Sequence, residues 1–209
     1  GVIKVTSTDG IVKGVLFNYT CHAVVLGPDN LLITADYPGY AQRIVEHQLG
    51  QSAVALFTNG AAGNINTGHS ADLSALGAPI PGRTHARAER LGTTLAWEVL
   101  KVAEPLKGAD DLVVAAATRL VPLPQKTLPS VTEAERDAEE KKRMLNAAQE
   151  RGLEGRELAQ VTLDELYARL LAGQVRERAK AGTLKGPLPV ELQAIRLGNC
   201  GLVSFPGEA

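Results

Sequence analysis

The chain has no excess of charge of either sign: 22 Lys and Arg stand against 23 Asp and Glu. So balanced a surface sets up no field to attract DNA, RNA or an anionic membrane, which demotes nucleic-acid binding at the outset. Cysteine is equally sparse. Cys21 and Cys200 are the two present, enough for one bridge at most and too few to settle the redox compartment. No apolar run approaches the ~20 residues that cross a bilayer. The opening "GVIKVTSTDG" has neither the basic nor the apolar region of a signal peptide. It also lacks an initiator Met and starts inside what reads as a strand, so the expectation is an excised piece of a longer protein. What is present, 44% hydrophobic and 22% charged residues over 209 positions, is ordinary for a soluble globular chain. That length holds one sizeable domain, or one domain with an insertion.

The patterning predicts an α/β fold, a mixed β-sheet core flanked by helices and carrying an inserted helical hairpin. V2–V5 and V12–Y19 flank "TSTDGI", an Asp-Gly hairpin signal. "YPGYAQRIVEHQLG" reads as a helix, with Ala41, Ile44, Val45 and Leu49 on one face and Gly50 as its stop. "SAVALFT" is a short buried strand that ends in the glycine-rich "NGAAGNINTG". R83–A103 carries a second amphipathic helix, and "DLVVAAATRLVPL" a further strand. Between 131 and 185 the composition shifts to Ala, Glu, Arg, Lys and Leu. Two helices are expected there, the first opened by a capping box from Thr132 to Glu135 and closed at Gly152, the second running through "TLDELYARLLAGQVRERAKAG" from Thr162. V190–L197 and G201–F205 flank "GNC" as a closing hairpin.

Four features could carry chemistry. His22 stands at the end of a strand, where the sheet fixes a side chain and the following loop admits a ligand. A lone histidine there is more often structural than a metal ligand or base. Cys21 should point to the opposite face, into the core. The loop "FTNGAAGNINTG" brings small residues and three asparagines to a strand end, so its backbone N–H groups could hold an oxyanion or a carboxylate. It is neither a Walker A loop nor a dinucleotide fingerprint, and a plain glycine-rich turn explains it about as well. Asp36 precedes a helix, where capping is the ordinary role and support of His22 the sharper one. Glu208, in "FPGEA", reaches a sheet end by the same geometry as His22; alone it is an ordinary exposed carboxylate. His85 should face the core or a cleft, His47 and His69 solvent, and Trp97 the side opposite its helix's apolar stripe.

Taken in order, "NYTCHAVVLGPDNLLITADYPGYA", "LFTNGAAGNINT" and "VSFPGE" resemble the catalytic domain of the neutral ceramidase family, and its short bacterial members more narrowly. The resemblance covers most of residues 1–105 and the last two strands. It implies that the whole chain is a fragment of one ceramidase-like catalytic domain, with 131–185 as a helical insertion. It further implies a zinc-dependent hydrolase that cleaves an amide bond, N-acylsphingosine or a related lipid amide, with a metal-activated water as the attacking group. His22 matches a family histidine ligand and Glu208 the family's glutamate. The remaining ligands, from an upstream His-x-His string and a downstream tyrosine, have no counterpart in this sequence. Asn59, Gly60, Gly63, Asn64 and Asn66 fall on the substrate-side loop, and Asp36 behind His22.

One departure stands out. Asn64 replaces an aspartate, and Asn66 a serine proposed as the family's nucleophile, a role asparagine cannot fill. The alternative is therefore a non-catalytic binding domain that kept the fold and lost the activity. The resemblance implies a small-molecule or lipid amide partner and a secreted or periplasmic location. Nothing in the sequence fixes the oligomeric state.

Overall fold

The computed structural model describes residues 1–50, 52–69 and 80–207. It divides into two compact units, one built from the chain up to Val113 and the other from Val114 to Pro206. The expected α/β class holds, with two three-stranded sheets rather than one.

In the first unit, β1 (Val2–Thr6) and β2 (Val12–Tyr19) form the expected antiparallel hairpin. Gly10 takes the left-handed φ of +86° that the Asp-Gly turn needs. β3 (Val54–Asn59) lies parallel to β2, in a register running from Gly14 opposite Val54 to Tyr19 opposite Asn59. A parallel pair cannot be joined by a tight turn, and α1 (Asp36–Leu49) provides the crossover. It stops at Gly50, whose φ is +102° and whose N–H donates to the Glu46 carbonyl at 3.0 Å. α2 (His85–Ala103) starts from Thr84, whose hydroxyl accepts from the Arg87 N–H at 3.2 Å.

Alternation along β2 sends Val15 and Phe17 toward the helices, where they join Ala41, Val45, Ala96 and Val99 in the core. Phe17 meets Phe57 edge to face, centroids 5.6 Å apart. α1 and α2 touch backbone to backbone at Gly92: a Cβ there would lie 2.5 Å from both the Tyr37 carbonyl and the Tyr40 Cβ. Trp97 is half exposed on α2, away from the buried Ala96 and Val99.

In the second unit, β4 (Val114–Leu123), β5 (Leu188–Leu197) and β6 (Cys200–Ser204) make an antiparallel sheet. α3 (Val131–Glu150) and α4 (Gly155–Lys180) are inserted between β4 and β5. The capping box falls two residues before the expected one. Ser130 accepts from the Glu133 N–H at 3.2 Å, and the Glu133 carboxylate accepts from the Ser130 N–H at 2.9 Å. Ser130 has the extended backbone that a cap requires, with φ −64° and ψ 160°, whereas Thr132 already lies within the helix. α4 likewise starts earlier than Thr162, whose hydroxyl bonds back to the Leu158 carbonyl at 2.7 Å as a mid-helix threonine does. The helices bury Ala134, Ala172 and Val175 between them.

Candidate functional site

β2 and β3 are parallel, so their carboxyl ends open side by side, the usual place for ligands in α/β proteins. The side chain of Asn18 ties the strands together just before they end, donating to the Thr58 carbonyl at 3.1 Å. Gly60 N–H then donates to the Tyr19 carbonyl at 3.2 Å. Oriented by its surrounding acceptors, the Asn59 amide donates to Tyr19 O at 3.2 Å and Cys21 O at 2.9 Å. A Cβ at Gly60 would collide with Thr20 Oγ1, so this close approach of the two strand ends needs glycine.

His22 follows directly. Its N–H donates to Ile65 O at 3.1 Å, and its Nε2 lies 2.8 Å from the Gly63 carbonyl. A carbonyl oxygen can only accept, so Nε2 carries the hydrogen and Nδ1 is the nitrogen with the lone pair in the neutral ring. A ring N–H held by a backbone carbonyl fixes both the tautomer and the orientation of the imidazole. Gly63 presents that carbonyl from a left-handed φ of +48°. The histidine and the glycine-rich loop, 41 residues apart in sequence, are thus one feature of the fold.

Cys21 is buried and unbridged, as its opposite facing predicts. Tyr37 is buried against it, and its hydroxyl donates to the Cys21 carbonyl at 2.7 Å. Burial first, then neighbouring charge, pushes the Tyr37 hydroxyl far above its ordinary range, and burial raises the Cys21 thiol as well. Neither is poised to act as an anion near neutral pH.

Asp36 is buried and stands at a φ of +49°, a left-handed position that aspartate tolerates better than most residues. Its carboxylate accepts from the N–H groups of Val25 (3.2 Å), Leu26 (2.8 Å) and Tyr37 (2.7 Å). It therefore serves the helix start and, at the same time, the segment that follows His22. Arg83, which no sequence pattern singles out, is also buried. Its guanidinium donates to the carbonyls of Val24 (2.9 Å), Val25 (3.3 Å) and Leu26 (2.7 Å).

Of the other loop residues, Asn64 is exposed. Asn66 turns its carbonyl oxygen inward to accept from Gly68 N–H (2.9 Å) and His69 N–H (3.1 Å), an Asx-type turn. Asn66 also lines an apolar cleft of about 490 Å³ between β2 and α2, together with Tyr19, Tyr37, Leu91 and Leu95. His22 is not on its wall.

His69 departs from expectation. It is buried, not solvated, and desolvation followed by the charges of Arg83 and Arg87 holds its pKa below the ordinary 6.5. The sequence offered no sign of this, because the two arginines meet it only through the fold. Among the described residues, His69 Nε2, Thr67 Oγ1 and Arg87 Nε are buried and meet no hydrogen-bond partner. His85, expected to face the core or a cleft, is exposed at the first residue of α2, and His47 is exposed as predicted.

Glu208 lies outside the described residues. Among the described residues no three His, Cys, Asp or Glu side chains gather closely enough to hold a metal ion. Among the described residues, His22 is a histidine whose ring is fixed by a backbone carbonyl.

Fold and site together define an α/β protein whose candidate chemistry sits at the carboxyl ends of parallel strands. Among solved structures, the chain is similar to the neutral ceramidase from Pseudomonas aeruginosa, with a TM-score of 0.56 and 19% identity over 99% of this chain and 34% of that one. It is also similar to a ceramidase complexed with C2, with a TM-score of 0.54 and 14% identity over 99% of this chain and 36% of that one. This chain therefore spans about a third of the length of the ceramidases it resembles, and at these identities the likeness is one of fold. No family model matches the sequence, and no curated protein matches it.

Proposed function

We propose that the chain is part of a zinc-dependent amide hydrolase of the neutral ceramidase type, acting on N-acylsphingosine or a related lipid amide. The observation that carries the reading is the hydrogen bond from His22 Nε2 to the Gly63 carbonyl, which joins the two motifs that bear the resemblance. The ceramidase fold of the structural neighbours supports it from a second direction.

In this proposal His22 would hold the metal through Nδ1, with Glu208 as a second ligand. An upstream His-x-His string and a downstream tyrosine, outside this sequence, would complete the set. Bound zinc would supply a Lewis acid that polarises the amide carbonyl and makes water nucleophilic near neutral pH. The chain's own residues supply position. Asn59 fixes the backbone on either side of Thr20, Gly63 fixes the imidazole, and the loop through Asn64 and Asn66 would line the substrate side with backbone N–H groups and carboxamides. Asn66 can orient a substrate but cannot attack it.

A second reading, a ceramidase-like binding domain without activity, is favoured by Asn66 itself, whose side-chain oxygen is occupied by the turn at Gly68 and His69. Metal analysis of the protein with its whole catalytic domain separates the two. The hydrolase reading expects stoichiometric zinc and release of fatty acid from an N-acyl lipid amide. It also expects at least ~100-fold weaker zinc binding in His22→Ala, beyond the 10- to 100-fold typical of outer partners. Absence of zinc, with no amidase activity when zinc is supplied, selects the binding domain.

A further inference from the structure

We propose that Asp36 and Arg83 act together as a clamp on residues 24–26, and that the clamp makes them positioning residues for His22. The inference rests on the reading of His22 as a metal ligand and extends it to two buried charges on different helical junctions.

The segment that follows His22 has no regular structure up to Asp36, yet Val25 is fully buried and Leu26 nearly so. Its peptide groups have no strand or helix to satisfy them, and leaving them bare in the interior is costly. Asp36 takes the two N–H groups, of Val25 and Leu26. Arg83 takes the three carbonyls, of Val24, Val25 and Leu26. An anion thus accepts along one edge of this short stretch while a cation donates along the other. Charged partners make the stronger kind of hydrogen bond, and a planar guanidinium suits several fixed carbonyls at once.

Three further features serve the same stretch. Asp36 holds a left-handed φ, a strained state that persists only where surrounding contacts determine it. Gly27 leaves room for the arginine and for Asp29: a Cβ there would lie 3.0 Å from Arg83 Nε, 3.2 Å from its Cδ and 2.5 Å from Asp29 Oδ1. Tyr37, next to Asp36, ties down the other flank by donating to the Cys21 carbonyl. The start of α1 therefore grips the chain immediately before His22 and again three residues after it. A core could be closed at this point with far less; this arrangement leaves the backbone around His22 little freedom to move.

Arg83→Met, Asp36→Asn and Gly27→Ala, made in the protein with its whole catalytic domain, test the clamp. Hydrogen exchange should show the Val25 and Leu26 amides losing protection at least about tenfold in Arg83→Met and Asp36→Asn, with α1 and α2 still protected. Zinc affinity should fall about 10- to 100-fold, as for outer-shell partners generally. The visible spectrum of the cobalt-substituted protein should change, because the ligand geometry has loosened. Arg83→Lys should recover only part of the affinity, and Gly27→Ala, which leaves both charges in place, should give a weaker version of the same pattern.

A Phe17→Leu variant, destabilised in the core away from the clamp, serves as control and should leave the cobalt spectrum unchanged. Unchanged exchange at Val25 and Leu26 in both charge variants overturns the clamp. Lost protection with zinc affinity and cobalt spectrum as in the parent overturns the positioning role. If His22→Ala binds zinc as tightly as the parent, the metal reading fails instead, and the exchange result still decides whether the clamp exists.

Discussion

The two sheets of this chain are of equal strand number and are treated in opposite ways. The β1–β2–β3 sheet has one face closed by α1 and α2, and Phe17 within it is 1% exposed. The β4–β5–β6 sheet has no buried residue at all among its described positions. Val114, Leu120 and Val203 on that sheet are 68%, 68% and 72% exposed. The helices inserted between β4 and β5 do not relieve it, since they bury alanine and valine against each other. Holding a side chain still requires a packed backbone beneath it, and among the described residues the first unit has that packing below its strand ends.

The sharpest way to break the comparison is to truncate a large side chain on each sheet. Phe17→Ala should cost about 3–5 kcal/mol, the range for a buried Phe whose neighbours cannot close the gap. Val203→Ala should fall within about 0.5 kcal/mol, as surface substitutions do. Urea unfolding followed by separate probes of each unit measures both. Equal losses would mean that the second sheet is packed after all. Next in size is Gly92→Ala, expected to cost about 1–3 kcal/mol by forcing apart the backbones of α1 and α2. That variant loosens the start of α1, so reduced protection of Asp36 and Tyr37 amides should accompany the lost stability. In the second unit Ser130→Ala removes one half of the capping box and should cost about 1 kcal/mol, seen as fraying of the first turn of α3 with the first unit unaffected.

Much of the first unit was legible because its signals are local. The Asp-Gly turn, the apolar face of α1 and the glycine stop at Gly50 each act within a few residues. The pairing of His22 with the loop was legible only as an order of motifs, yet the parallel register of β2 and β3 turns that order into contact at Gly63 and Ile65. Arg83 and Tyr37 were illegible for a physical reason. Their partners are backbone carbonyls, distant along the chain, and a carbonyl leaves no mark in the residue type that bears it. The first capping box was displaced for a milder reason: Ser130 and Thr132 both precede a glutamate by three residues, and only the extended backbone at Ser130 distinguishes them. His69 shows the same limit in another form, as nothing near it in sequence announces the charges of Arg83 and Arg87 that act on it.

That histidine supplies the smallest expected effect and the finest contrast between the units. Its pKa is lowered in the folded protein by burial first and by Arg83 and Arg87 next, with Asp36 opposing them. In the unfolded chain it regains the ordinary value of 6.5, so below that pH the unfolded state binds more protons than the folded one. Stability from this group is therefore complete above pH 6.5 and is lost as the pH falls through the lower, folded value. His69→Gln removes the titration while keeping a side chain that can hydrogen bond. Melting temperature followed through this window should fall more steeply for the parent than for His69→Gln, and the difference should vanish above pH 6.5 apart from a constant offset. The second unit contains none of the four histidines, so its own unfolding, read from the helix pair, should follow the same pH curve in both proteins. A curve for the helix pair that shifts with His69→Gln would show that the two units unfold together as one cooperative structure.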